Sequence, residues 1–197
     1  MKGKKMIGKR YDILAVMLIV IVSSAILLSS HRKTPGEAAG GEGSTAKFAA
    51  LSNAKTSFCS GPAFIAGKGE EERLQGACCS QMDFHRYQEQ VEGLKKYAAI
   101  KEIPADPYDI PVSWANRFLE YGKSTKVTPE QQTVYDQAVK LSHEGGPCCC
   151  KCWRWYAFEG LAKYLISERG FTAEQIAEVW DLEDGCGGKG HEHGAGH

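Results

Sequence analysis

Four thiols stand within five consecutive residues, in Pro147-Cys148-Cys149-Cys150-Lys151-Cys152. A second pair, Cys78-Cys79, lies upstream with Met82 and His85 just after it. Thiolates are soft, easily oxidised and strongly metal-binding, so thiols at this density constrain the fold to one that uses or protects them. A soft-metal site, a disulfide framework and a redox-active thiol pair are all compatible with the pattern.

The N-terminus decides which compartment those thiols face. Lys2, Lys4, Lys5, Lys9 and Arg10 precede Ile13 to Leu28, a run of apolar and small residues with no charge. About 20 apolar residues cross a bilayer and signal-peptide cores run to roughly 7–15, so this run falls between the two. Tyr11, Ser29 and Ser30 extend it at the interfaces, no Ala-x-Ala site follows at once, and no lipid-acceptor cysteine is present. The reading favoured is an uncleaved signal anchor, with a cleaved signal peptide as the alternative. Basic residues before the run outnumber Arg32 and Lys33 after it. The positive-inside rule then keeps the N-terminus cytoplasmic and exports the rest, a single-pass protein of the cell membrane. Outside the cytoplasm thiols oxidise unless a metal or a reductant protects them.

At 197 residues the chain holds one ordinary domain plus tails. Lys+Arg and Asp+Glu balance at 24 each, and no basic patch carries interleaved aromatics, so nucleic acid is not an expected partner. Residues 1–12 read as a cytoplasmic basic segment and 13–30 as the transmembrane anchor. The Gly-, Ser- and Glu-rich stretch 31–46 reads as a flexible linker, 47–186 as the cysteine-rich extracytoplasmic domain, and 187–197 as a Gly/His tail.

Within the domain the apolar spacing is helical. Phe84, Tyr87, Val91, Leu94 and Tyr97 recur at three- and four-residue intervals between Ser80 and Ile100. Ile103 to Pro111 is a proline-broken connector, followed by a short helix with Trp114, Phe118 and Leu119 that stops at Gly122. Thr128-Pro129-Glu130-Gln131 and Thr172 with Gln175 are capping boxes. Pro147 opens a helix through Trp153, Tyr156, Leu161 and Leu165 to Gly170. The expectation is an all-α, small orthogonal helical bundle of about five helices with no strand pair, behind a single transmembrane helix. A core this modest gains from cross-linking.

If the helix starts at Pro147, Cys148, Cys149 and Cys152 converge on one face, while Cys150 points elsewhere. The helix dipole and Lys151 both favour thiolate there. If a helix begins near Ala77, then Cys78, Met82 and His85 fall at i, i+4 and i+7, with Cys79 on the same stripe. That set suits Cu(I), or Zn(II) if Met82 is set aside. The plainer alternatives are a core Met82 and a surface His85. The candidate metal ligands are therefore Cys78, Cys79, His85, Cys148, Cys149, Cys150 and Cys152, with copper or zinc as the ion. Cys59 and Cys186 read as a structural bridge, to each other or to cluster cysteines. The tail residues His191, His193 and His197 read equally as loose metal ligands or as a solvated tail. Trp153, Trp155 and Tyr156 read as core or interface residues around a partly dry site.

The segment around Pro147 resembles the signature of exported bacterial proteins named for a Pro-Cys-Tyr-Cys-Gly-Cys (PCYCGC) motif. Pro147, Cys148, Cys150 and Cys152 stand at the motif's fixed places, with Cys149 for the Tyr and Lys151 for the Gly. Thr133 to Ala138 precedes the motif at the matching distance, and Arg169 to Thr172 with Ile176 follows as a glycine turn into a helix. The resemblance covers about a third of the chain and implies a membrane-anchored location outside the cytoplasm and a cysteine site, without naming a reaction.

Three functions fit: soft-metal binding, a disulfide-stapled module that joins another envelope protein, and thiol–disulfide exchange through Cys149-x-x-Cys152. The last lacks the preceding βαβ pattern of its usual scaffold. No phosphate-binding glycine loop, Gly-x-Ser-x-Gly, His-Glu-x-x-His or haem-type Cys-x-x-Cys-His occurs, and Glu70-Glu71-Glu72 reads as a solvated charge run. The reading leans against an enzyme.

Overall fold

The computed structural model describes residues 35–189. Among them are seven α-helices, one 3-10 turn and two short strands. In chain order these are α1 (Pro35–Asn53), α2 (Ala63–Ala66), β1 (Arg73–Gln75), α3 (Phe84–Leu94, continued as a 3-10 turn through Lys95–Tyr97), β2 (Asp109–Pro111), α4 (Val112–Ser124), α5 (Pro129–Leu141), α6 (Trp153–Arg169) and α7 (Ala173–Leu182). The described residues are mostly helical, as the sequence led us to expect. No helix among the described residues is long and apolar enough to cross a membrane. The apolar run Ile13 to Leu28 and the histidines of the tail lie outside those residues.

Both capping boxes form. Thr128 Oγ1 accepts from the Gln131 amide while Gln131 Oε1 accepts from the Thr128 amide, and Thr172 with Gln175 repeats the exchange. Helix α6 ends where Gly170 takes φ +65°, in the left-handed region that closes a helix.

Three expectations are corrected. Helix α3 starts at Phe84, because Asp83 caps it by accepting from the Arg86 amide; the stretch from Ala77 to Met82 is therefore not its first turn. Likewise α6 starts at Trp153 rather than Pro147. Leu74 and Ile110 face each other in an antiparallel β1–β2 pair, where no strand pairing was expected. Three residues per strand are too few for a period-2 pattern to register. In addition, α1 begins at Pro35, inside the stretch read as a linker, and the compact unit that carries the cysteines begins at Ser44.

Helix α6 is the centre of the core. Trp153, Ala157, Phe158, Leu161, Ala162, Leu165 and Ile166 are buried along it. It meets α4 backbone to backbone: a Cβ on Gly160 would lie 2.0 Å from the Phe118 carbonyl oxygen and 2.6 Å from the Gly122 nitrogen. Only glycine permits that approach. Helix α7 closes the other side through Trp180, whose indole N–H donates to the Phe158 carbonyl at 3.2 Å. A smaller cluster of Leu51, Met82, Tyr87 and Tyr108 sits apart from this core. Tyr87 donates its hydroxyl proton to Asp106 at 2.9 Å, and Lys47 pairs with the same carboxylate at 2.8 Å.

Candidate metal centre

Every one of the eight cysteines belongs to a single sulfur field, built from four separate stretches of chain. Two hydrogen-bonded seams bring them together. In the first, the segment after α7 runs alongside the segment before α3. The amides of Cys78 and Cys79 donate to the carbonyls of Gly185 and Cys186 at 3.1 and 3.2 Å, and Ser80 donates to Cys186 at 2.8 Å. The seam continues as a parallel bridge between Met82 and Gly188. Gly187 allows this pairing: it takes φ +87°, and a Cβ there would sit 2.3 Å from the Ser80 carbonyl. In the second seam, the Trp153 amide at the start of α6 donates to the Ser60 carbonyl at 2.6 Å, and so carries the Cys59 loop to the 148–152 loop.

The thiols fall into four triads, each with all three sulfurs within 4.8 Å of one another: Cys59–Cys79–Cys150, Cys78–Cys79–Cys186, Cys148–Cys149–Cys186 and Cys148–Cys150–Cys152. Measured separations include 3.4 Å for Cys148–Cys186, 3.7 Å for Cys148–Cys152, 3.6 Å for Cys78–Cys79, 3.1 Å for Cys149–Cys186 and 2.9 Å for Cys59–Cys150. Four thiolates around a tetrahedral ion with bonds of about 2.3 Å stand about 3.8 Å apart, so several of these spacings match metal coordination. No sulfur–sulfur bond is formed; all eight cysteines are free. Cys148, Cys152 and Cys186 form a buried floor, Cys78 and Cys150 are half-buried, and Cys59, Cys79 and Cys149 are exposed at the rim. Trp155 packs against the floor and screens it from water, with the Lys151 ammonium 4.2 Å from its ring centre.

Cys152 is the N-cap residue of α6. Its thiol is held well below the ordinary range, first by hydrogen bonds from Cys148 and Cys78, against the pull of burial, and then by the backbone N–H groups of Trp155 and Arg154. Cys148 is pushed up in turn, by its hydrogen bonds to Cys152 and Cys186 and by burial. Burial raises Cys150 and Cys79. The helix amides act only after the neighbouring sulfurs, and on the residue that precedes the first turn rather than on a first turn of cysteines.

Arg154 lies behind the floor, only 1% exposed. Its Nη1 donates to the Glu183 carbonyl at 3.0 Å, and its Nη2 donates to the Pro107 carbonyl. Its Nε has no hydrogen-bond partner among the described residues. Burial acts to strip its charge, but the thiols of Cys78, Cys148 and Cys186 and the Glu183 carboxyl outweigh that and hold the guanidinium above its ordinary range. Burial leaves the Glu183 carboxyl well above the carboxylate range.

Of the seven ligands expected, the six cysteines converge and His85 does not. The His85 side chain is 84% exposed and its Nε2 pairs with Glu89 at 3.1 Å. Met82 joins the Tyr87 cluster, where the Ser52 hydroxyl approaches its sulfur at 3.9 Å. Both fell on a presumed helical stripe that Asp83 interrupts. Sequence reasoning missed Cys59 and Cys186 as members of the site; Cys186 belongs to two triads. The surface groove beside α4 and α6, lined by Ala63, Leu119, Tyr156 and Glu159, contains none of the cysteines.

No protein-family model, curated protein or solved structure matches the chain. The site's own geometry therefore carries the functional argument.

Proposed function

We propose that this chain is a membrane-anchored protein with its folded domain outside the cytoplasm, and that it holds a soft metal ion, Cu(I) or Zn(II), through its clustered cysteines. The convergence of eight thiols from four chain segments carries the reading. Thiols paired only with each other gain weak hydrogen bonds, whereas a thiolate–metal bond stabilises a fold strongly; structural zinc contributes about 10–16 kcal/mol in small domains. In an oxidising compartment, bound metal also protects the sulfurs. The uncharged run Ile13 to Leu28 supplies the anchor in this reading, the charge bias exports the bundle, and the resemblance around Pro147 points to the same location.

The test is native mass spectrometry of the reduced full-length protein, in detergent, after loading with copper or zinc. Bound metal is the expected result; a fully reduced chain that takes up neither ion overturns the reading. Cysteine-directed reagents that cannot cross a membrane, applied to intact cells, test the location. After chelation of the metal they are expected to label Cys59, Cys79 and Cys149.

A disulfide-stapled module that binds another envelope protein is the second reading, supported by the short approaches Cys59–Cys150 at 2.9 Å and Cys149–Cys186 at 3.1 Å. Thiol titration separates the two, since complete pairing leaves no free sulfhydryl before reduction. Thiol–disulfide exchange by Cys149 and Cys152 has less support, because the two sulfurs share no triad.

A further inference from the structure

The four triads overlap. Cys79, Cys148, Cys150 and Cys186 each belong to two of them, while Cys59, Cys78, Cys149 and Cys152 each belong to one. Each triad alternates with its neighbours around a closed circuit: Cys150 links the first to the fourth, Cys148 the fourth to the third, Cys186 the third to the second, and Cys79 the second to the first. That is the connectivity of a ring of metal ions joined by shared thiolates. We infer that the site is polynuclear, a cluster of about four Cu(I) ions in which Cys79, Cys148, Cys150 and Cys186 bridge and the other four cysteines are terminal ligands. This deepens, and rests on, the metal-binding reading above.

Coordination number selects the ion. Zinc sites close with four ligands in a tetrahedron, whereas every grouping here offers three sulfurs. Cu(I) is soft, prefers thiolate, and is satisfied by three ligands in a plane. With bonds of about 2.3 Å, taken from the zinc–thiolate length, such a plane places sulfurs about 4 Å apart, inside the spacing the triads hold. Each thiol that takes up Cu(I) gives its proton to solvent and no electrons move, so the copper must arrive as Cu(I).

Charge gives an independent reason for a cluster at this place. Four Cu(I) against eight thiolates leave a net charge of four minus, which a dry floor cannot hold without compensation. Arg154 is the buried cation behind that floor, with one N–H unpartnered among the described residues. Gly185, next to Cys186, leaves it room: a Cβ at that position would lie 2.2 Å from the guanidinium carbon.

The test titrates the reduced full-length protein, without oxygen, with the Cu(I)–acetonitrile complex. Native mass spectrometry counts the ions and X-ray absorption looks for copper–copper scattering. About four copper ions per chain and a short copper–copper vector are expected. Saturation at one copper without that vector overturns the cluster but leaves metal binding intact, while no uptake at all removes both readings. Two exposed positions then test the bridging assignment without disturbing the core. Cys79→Ser, in two triads, is expected to lose about two ions, and Cys59→Ser, in one, about one. Equal losses from the two variants would overturn the division into bridging and terminal sulfurs.

Discussion

The Trp153 amide donates to the Ser60 carbonyl at 2.6 Å, and this one bond joins the start of the central helix to a loop more than ninety residues earlier. It places Cys59 beside Cys150 at the exposed edge of the sulfur field. In metal-free protein under a mild dithiol oxidant such as diamide, Cys59 and Cys150 are expected to be the first pair to cross-link, each losing one proton and one electron to the reagent. Peptide mapping without reduction reads this. A first cross-link within Cys148–Cys152 would contradict the placement of the Cys59 loop.

The α4–α6 contact leaves no room for a methyl group at Gly160. Gly160→Ala is expected to cost about 2–3 kcal/mol, in the range of core overpacking. Thermal unfolding followed by circular dichroism should show the midpoint fall by roughly 5–10 °C for a domain of this size. An unchanged midpoint would mean that the two helices stand further apart.

Glu183 is buried with both carboxylate oxygens unpartnered among the described residues, and burial raises it well above the usual carboxylate range. The native state therefore keeps its proton at pH values where the unfolded chain has lost it. Stability falls as pH rises above the unfolded value of about 4.5, with a slope of up to about 1.4 kcal/mol per pH unit until the buried group ionises. Glu183→Gln removes this contribution. Urea titrations at pH 5 and pH 7.5 are expected to show the variant gaining on the native protein at the higher pH.

His85 pairs with Glu89 in open solvent. His85→Ala is expected to leave copper and zinc stoichiometry unchanged by native mass spectrometry, and to cost no more than about 0.5 kcal/mol of stability, as exposed pairs do.

Trp155 is the indole that lies on the buried sulfurs. Copper loading is expected to quench tryptophan emission, and Trp155→Phe to remove most of that change while keeping the metal count. Quenching that persists in Trp155→Phe would assign the effect to another tryptophan.

The helices with strong local signals were legible in the sequence. Both threonine capping boxes, the Gly170 stop and the apolar stripe ending at Leu94 and Tyr97 are local matters, fixed by residues three or four apart. The sulfur site was legible only in part. Clustering revealed Cys78, Cys79 and the four cysteines at 148–152, but both local frames assigned to them were wrong. Asp83 and Cys152 are caps, and a residue that caps a helix excludes the preceding residues from it. Cys59 and Cys186 are brought in by long-range backbone pairing, to nearest sulfurs 91 and 37 residues away in the chain, a relationship that no periodicity records.

Cys186 follows α7 and is the last of the eight sulfurs in chain order. A nascent polypeptide lacks one of the four donors shared by two triads until every described helix has been made. Closure of the sulfur circuit thus waits for the segment after α7, and a product cut before it would carry seven thiols and only two of the four triads.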